Sequence, residues 1–175
     1  MKASPYPARM PEEEAWRLKL LQELLDELDE HEERGAMDEE EATKKILDDA
    51  DELFVTRDLV AAEVYFSGLP TMYHQRLVKQ LVSRAIEFES DEVSAVMVAD
   101  LFNRVASKKL CSPLAFEEGF RSFARSLEDV AIDVPKAWWF MDIMVDGVCW
   151  NEGYQRQRIV PYQMQKYYLR RESSL

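Results

Sequence analysis

From Asp38 onward, apolar side chains recur at steps of three and four in one segment after another, and capping residues and prolines interrupt the run at regular intervals. Such steps keep one stripe of a 3.6-residue helix apolar, whereas a half-buried strand needs strict alternation. Asp38 with Glu41 three residues on is a capping-box-like start, leading through Ile46, Ala50 and Leu53. Thr56 is positioned to cap a second helix, Arg57 to Phe66, which Gly68 and Pro70 end. A third runs from about Tyr73 to Phe88, with Leu77, Leu81 and Ala85 on one face and Val78, Val82 and Ile86 beside them. Ser90 is positioned to cap a fourth, carrying Val93, Val96, Met97, Leu101 and Val105. Ser112 and Pro113 are an N-cap followed by proline at the first helical position. The fifth helix then carries Phe116, Phe120, Phe123 and Leu127, and Pro135 opens a sixth with Trp138, Met141, Val145 and Val148.

Helix starts near residues 71, 91, 113 and 135 put alternate starts 42 and 44 residues apart. That is the period of paired-helix solenoids such as HEAT and armadillo repeats. Only five glycines in the chain also disfavour turn-rich β folds and Gly-lined phosphate sites. The expected fold class is all-α, a HEAT-like stack of antiparallel helix pairs, an architecture that serves as a binding surface.

The formal charge of −12 is unevenly spread. Residues 1–53 carry a balance of −11, residues 54–150 one of −4 and residues 151–175 one of +3. We therefore expect an acidic N-terminal extension over 1–37, a helical domain over 38–150 and a basic, aromatic tail over 151–175. The extension holds a leucine-striped pattern from Glu12 to Arg34 (Leu18, Leu21, Leu25, Leu28) that Gly35 stops. It reads either as an amphipathic helix with a solvated face or as an acidic lure for a basic partner, and the first is the simpler reading. The acidic balance argues against coating nucleic acid or anionic membrane with the whole surface. No apolar run approaches the roughly twenty residues of a membrane span, and no apolar stretch follows Met1, so neither insertion nor secretion is expected.

Enzyme signatures are absent from the sequence: it holds no Gly-rich phosphate loop, no GxSxG elbow and no zinc spacing. Cys111 and Cys149 lack metal-ligand spacing and read as reduced thiols, with Cys111 half-buried and inert. His31 and His74 stand apart from any Cys or acid set, His31 as a surface residue and His74 as a cap or surface contact. No catalytic residue, metal or cofactor is expected.

The stretch Leu127 to Ala137 stands out. Asp129 and Asp133 are four residues apart, so a helical backbone puts both carboxylates on one side. Val130 and Ile132 are expected to anchor the turn, and Pro135 sets the next helix start and restricts Val134. Rigid carboxylates suit bidentate recognition of arginine on a partner. Capping is the competing reading: Asp133 precedes a helix start, and Asp129 is expected near a helix C-terminus, where a negative charge is mildly unfavourable.

These residues, together with Asp58-Leu59-Val60-Ala61-Ala62-Glu63, Leu77 to Val82, Leu110-Cys111-Ser112-Pro113 and Phe116-Glu117-Glu118-Gly119-Phe120, resemble the MI domain, also called the MA-three domain, in order and spacing from about Lys44 to Val148. The Phe-Glu-Glu-Gly-Phe element followed by Ile-Asp-Val-Pro-Lys-Ala is most similar to the C-terminal version in translation initiation factor four-G, the scaffold subunit of the cap-binding complex. The resemblance implies a cytoplasmic interaction module that binds the DEAD-box RNA helicase of translation initiation on its N-terminal RecA-like lobe and modulates it. It assigns that contact to Asp129 and Asp133, with Glu128 adjacent, and gives structural roles to Pro135, Gly119 and Phe120. A Tyr-x4-Leu-apolar motif for capturing the cap-binding protein is missing, since Tyr6 is followed at the fifth position by Pro11.

The tail interleaves Arg156, Arg158, Arg170 and Arg171 with Tyr154, Tyr162, Tyr167 and Tyr168. It reads either as a last helix packing tyrosines on the body or as a contact for single-stranded RNA through phosphate pairing and stacking. The alternatives to helicase docking are thus an RNA-binding accessory protein and an MI-type factor of splicing or ribosome assembly.

Overall fold

The computed structural model describes residues 37–151 together with Arg156, Val160 and Met164. The leucine-striped segment, Arg158, Arg170, Arg171 and the tail tyrosines lie outside the described residues. Among the described residues seven α-helices and no strand are present. They are α1 (Glu39–Thr56), α2 (Leu59–Ser67), α3 (His74–Ser83), α4 (Glu92–Ser107), α5 (Pro113–Ala124), α6 (Leu127–Asp133) and α7 (Ala137–Cys149). A 3-10 turn, Thr71–Tyr73, leads into α3, and a π-helical segment, Arg84–Glu89, prolongs it.

Local chemistry accounts for most of the ends. The Asp38 carboxylate accepts the Glu41 amide at 2.7 Å and starts α1. The Ser112 hydroxyl accepts the Ala115 amide at 3.2 Å, with Pro113 at the first helical position of α5. Two expected caps move. Asp58, not Thr56, caps α2 by accepting from Val60 and Ala61. Asp91, not Ser90, caps α4 by accepting from Ser94 at 2.7 Å. Arg57 and Ser90 instead take left-handed backbone angles (φ 56° and 53°) that close the preceding helices.

The helices stack in two rows. One row is α1, α3 and α5; the other is α2, α4 and α7. Short links such as Arg57-Asp58 make neighbours antiparallel, so α1 pairs with α2 and α3 with α4. This is the HEAT-like stack of helix pairs. Between the rows Phe102 of α4 meets Phe116 and Phe120 of α5 edge-on, with ring centroids 5.2 and 5.7 Å apart. That geometry favours aromatic pairs beyond their area burial.

The two most extensive crossings, α4 with α7 and α3 with α5, each use a glycine. A Cβ on Gly147 would overlap the Ala99 carbonyl oxygen of α4. A Cβ on Gly119 would lie 2.6 Å from Val78 Cγ1 of α3. Both glycines therefore let helix backbones approach closely, the structural role expected of Gly119.

Across α2 and α4, the carboxylate of Glu63 is buried between Arg104 and Lys108. The Lys108 hydrogen bond is the main cause that holds this carboxyl below its ordinary range; burial opposes it and Arg104 adds to it. His74, expected as a cap or a surface contact, is buried. Its Nε2 donates to Leu69 O at 3.0 Å and its ring meets Phe66 edge-on. Cys111 is buried rather than half-buried, and burial pushes its thiol up to about 12. In α4 the expected apolar stripe holds at its C-terminal half and fails at its N-terminal half: Leu101 and Val105 fill the core with Val98 and Phe102, Met97 packs against it, and Val93 and Val96 face solvent. No described helix is long and apolar enough to cross a membrane.

Candidate functional site

α6 is a seven-residue helix between the last helix of one row and the last of the other. It is separate from α5. The chain leaves α5 at Ala124, the Ser126 hydroxyl donates to Phe123 O at 2.9 Å, and Leu127 restarts the helix. The expected continuous stripe from Phe116 to Leu127 therefore spans two helices, although all four of its side chains are buried.

Leu127 is the anchor, fully buried, with Val130, Ala131 and Val134 half-buried behind it. Ile132, expected in the core, is 77% exposed. The helical wheel explains this. At about 100° per residue, Val130, Ala131 and Val134 fall within roughly 60° of Leu127, and Ile132 falls roughly 140° away. Asp129 and Asp133 share the far side, roughly 40° apart by the same rotation. Pro135 holds Val134 in an extended conformation (φ −118°, ψ 84°), which ends α6. The Ala137 amide then donates to Val134 O at 2.9 Å, so Pro135 and Lys136 form a tight link into α7.

Glu128, Asp129 and Asp133 are all exposed. Among the described residues no group donates a hydrogen bond to any of them or forms an ion pair with them. The capping reading of Asp133 is therefore not what the fold uses: Lys136 is the N-cap of α7 and no side chain bonds there. The placement of Asp129 is also corrected. It lies with Glu128 in the first turn of α6, where the helix dipole favours a negative charge, and it is Asp133 that occupies the disfavoured C-terminal end.

This arrangement presents carboxylates around an exposed isoleucine on a rigidly anchored turn. Exposed carboxylates lose little hydration until a partner covers them, and each alone contributes weakly. Two on one face are chemically able to accept guanidinium groups, and the exposed Ile132 beside them is apolar area that a covering surface can bury. The exposure of Ile132 is what its apolar character hides in the sequence; its position on the wheel is the signal that finds it.

Of the other expected positions, Gly119 and Phe120 are buried in α5, and Pro135 is exposed between α6 and α7. Arg156 is engaged by the fold: it pairs with Asp142 at 2.5 Å and with Asp146, both on α7. Val160 and Met164 are buried in the core, so the tail packs on the body at these points. Among the described residues no group of His, Cys, Asp and Glu could hold a metal ion.

A family model, described as the MA3 domain, matches residues 39–145, from the first residue of α1 into α7 and across all three carboxylates. No solved structure matches the chain.

Proposed function

The chain belongs to the MA3 domain family, the same as the MI domain, and on that premise we propose that α6 docks the DEAD-box RNA helicase of translation initiation through Asp129 and Asp133. Domains of this family are helical modules of protein and RNA interaction. The observation that carries the finer reading is the state of the carboxylates: exposed, four residues apart, on a turn pinned by Leu127, and with no bond to any other described residue. A fold that spent these charges on its own stability would bond them. Asp133 gains nothing from its helix end either, since a negative charge there opposes the dipole.

In this reading Asp129 and Asp133 accept guanidinium groups of the helicase's N-terminal RecA-like lobe. Glu128 adds to the local field, and Ile132 is buried at the centre of the contact. Charge complementarity sets orientation and association rate, and the apolar centre slows dissociation. The domain thereby serves as a non-catalytic docking module that modulates the helicase within the cap-binding scaffold, in the cytoplasm.

The test is a pull-down of the helicase by the full chain carrying Asp129→Lys with Asp133→Lys. Binding should fall at least tenfold, a change of about 1.4 kcal/mol or more. The far-ultraviolet circular dichroism should match the parent, because neither side chain bonds to another described residue. Undiminished capture by the doubly reversed chain would defeat the assignment.

A further inference from the structure

We propose that the groove across α1, α3 and α5 is a second docking site, of opposite sign to the α6 site, for an acidic peptide segment of a partner protein. The groove is open and holds about 460 Å³. Its α1 wall is formed by Thr43, the half-exposed Leu47 and the edge of the largely buried Ile46. Its α3 and α5 walls carry three cations, Arg76, Lys79 and Arg125.

The charges in the groove do not cancel. Arg76 is shared with Glu39, its guanidinium 2.8 Å from the carboxylate. Glu118, the one acid among the lining residues, is shared with Arg121 at 2.5 Å. Lys79 and Arg125 are exposed, and neither side chain forms a hydrogen bond or ion pair with another described residue. In a chain of net charge −12, two uncompensated cations in the groove that Leu47 lines are a local inversion of the field. Gln75 and Gln80 on α3 add amide donors and acceptors that can bond an extended backbone.

The complementary ligand follows from the walls. It places an apolar side chain against Ile46 and Leu47 and carboxylates on Lys79 and Arg125. A polyanion such as RNA fits less well. Its long run of phosphates meets the repulsion of the whole acidic chain, and no aromatic face lines the groove to stack a base. This site does not depend on the helicase reading, since its residues and its sign differ from those of α6.

The experiment titrates the full chain against a short fluorescein-labelled peptide of repeating Glu-Glu-Leu, read by fluorescence anisotropy. The same repeat with lysine in place of glutamate is the control. Saturable binding of the acidic peptide alone is expected, and Lys79→Glu with Arg125→Glu should weaken it by about tenfold or more. Lys79→Gln with Arg125→Gln, the milder change, should weaken it less. Asp129→Lys with Asp133→Lys should leave it intact or tighten it, which separates this site from α6. Amide NMR shifts on titration should cluster at Thr43, Gln75, Gln80 and Ser122. Absence of saturable binding, indifference to both groove double variants, or tighter capture of an RNA oligonucleotide through the same two cations would each overturn the proposal.

Discussion

Replacing Gly147 with alanine should destabilise the domain even though alanine is the better helix former. At a helix interior the change gains about 1 kcal/mol in propensity. Against that, the added Cβ would overlap the Ala99 carbonyl oxygen and lie 2.8 Å from both its carbonyl carbon and its Cα. Ordinary carbon contacts sit near 3.5–4.0 Å, so α7 must withdraw from α4 by roughly 1 Å. Overpacking costs typically about 1–3 kcal/mol. The upper end applies here, because the obstructing atoms are backbone and the crossing is one of the two most extensive in the fold. The net expectation is a loss of about 2 kcal/mol, or a Tm lower by roughly 4–8 °C for a domain of this size. Equilibrium urea unfolding of the full chain measures it. A second comparison isolates the cause. Gly119→Ala meets the Val78 side chain first, so Val78→Ala should recover part of its loss, with a coupling of about 1 kcal/mol. Ala99→Gly should recover nothing for Gly147→Ala, since it removes no obstructing atom. A Gly147→Ala variant as stable as the parent would refute the close-approach argument.

Two further outcomes are expected. The Glu63 carboxyl is held below its ordinary value of 4.5, so its contribution to stability is fully present above about pH 4.5 and is lost as the pH falls through its folded value. Glu63→Gln should therefore be less stable than the parent at pH 7, and the gap in urea midpoint should narrow progressively as the pH is lowered below about 4.5. The Cys111 thiol, pushed up to about 12 by burial, should resist a thiol-reactive disulfide reagent at pH 8 in the folded chain and react at once in denaturant. Cys111→Ser should leave the number of fast-reacting thiols in the folded chain unchanged, and a smaller number than in the parent would refute the burial argument.

Much of this fold is legible because its helix ends are written locally. Asp38 and the Ser112-Pro113 pair need only their own next few residues to act as caps. Thr56 and Ser90 mislead because Asp58 and Asp91, equally good caps, stand two residues and one residue further on. The chain uses Arg57 and Ser90 to end the previous helices in left-handed geometry. The break between α5 and α6 is hidden for a different reason. Leu127 stays in phase with the phenylalanine stripe, so periodicity runs straight across a turn that only the Ser126 geometry reveals. His74 looks like a turn residue beside Pro70, and its burial depends on Phe66 and Leu69 folding back over it.

The candidate site divides in the same way. The pairing of Asp129 with Asp133 follows from four-residue spacing and is visible in the sequence. Their lack of bonds to the other described residues is a property of the folded surface and is not. The cationic groove was invisible, because Ile46, Lys79 and Arg125 come from three helices and share no local pattern.

The pairing of Arg156 with α7 bears on how the C-terminal region can be interrogated. Asp142, only 8% exposed, receives that guanidinium, and Val160 and Met164 sit in the core a few residues beyond. Trimming the chain at the last matched residue, Val145, or shortly after α7, would withdraw a cation from a nearly enclosed carboxylate and strip two side chains from the interior. Any loss of RNA or partner binding in such a shortened chain would then report damage to the scaffold. Substituting Arg156 would open the same seam, so a test of the tail as a nucleic-acid contact keeps that residue in place.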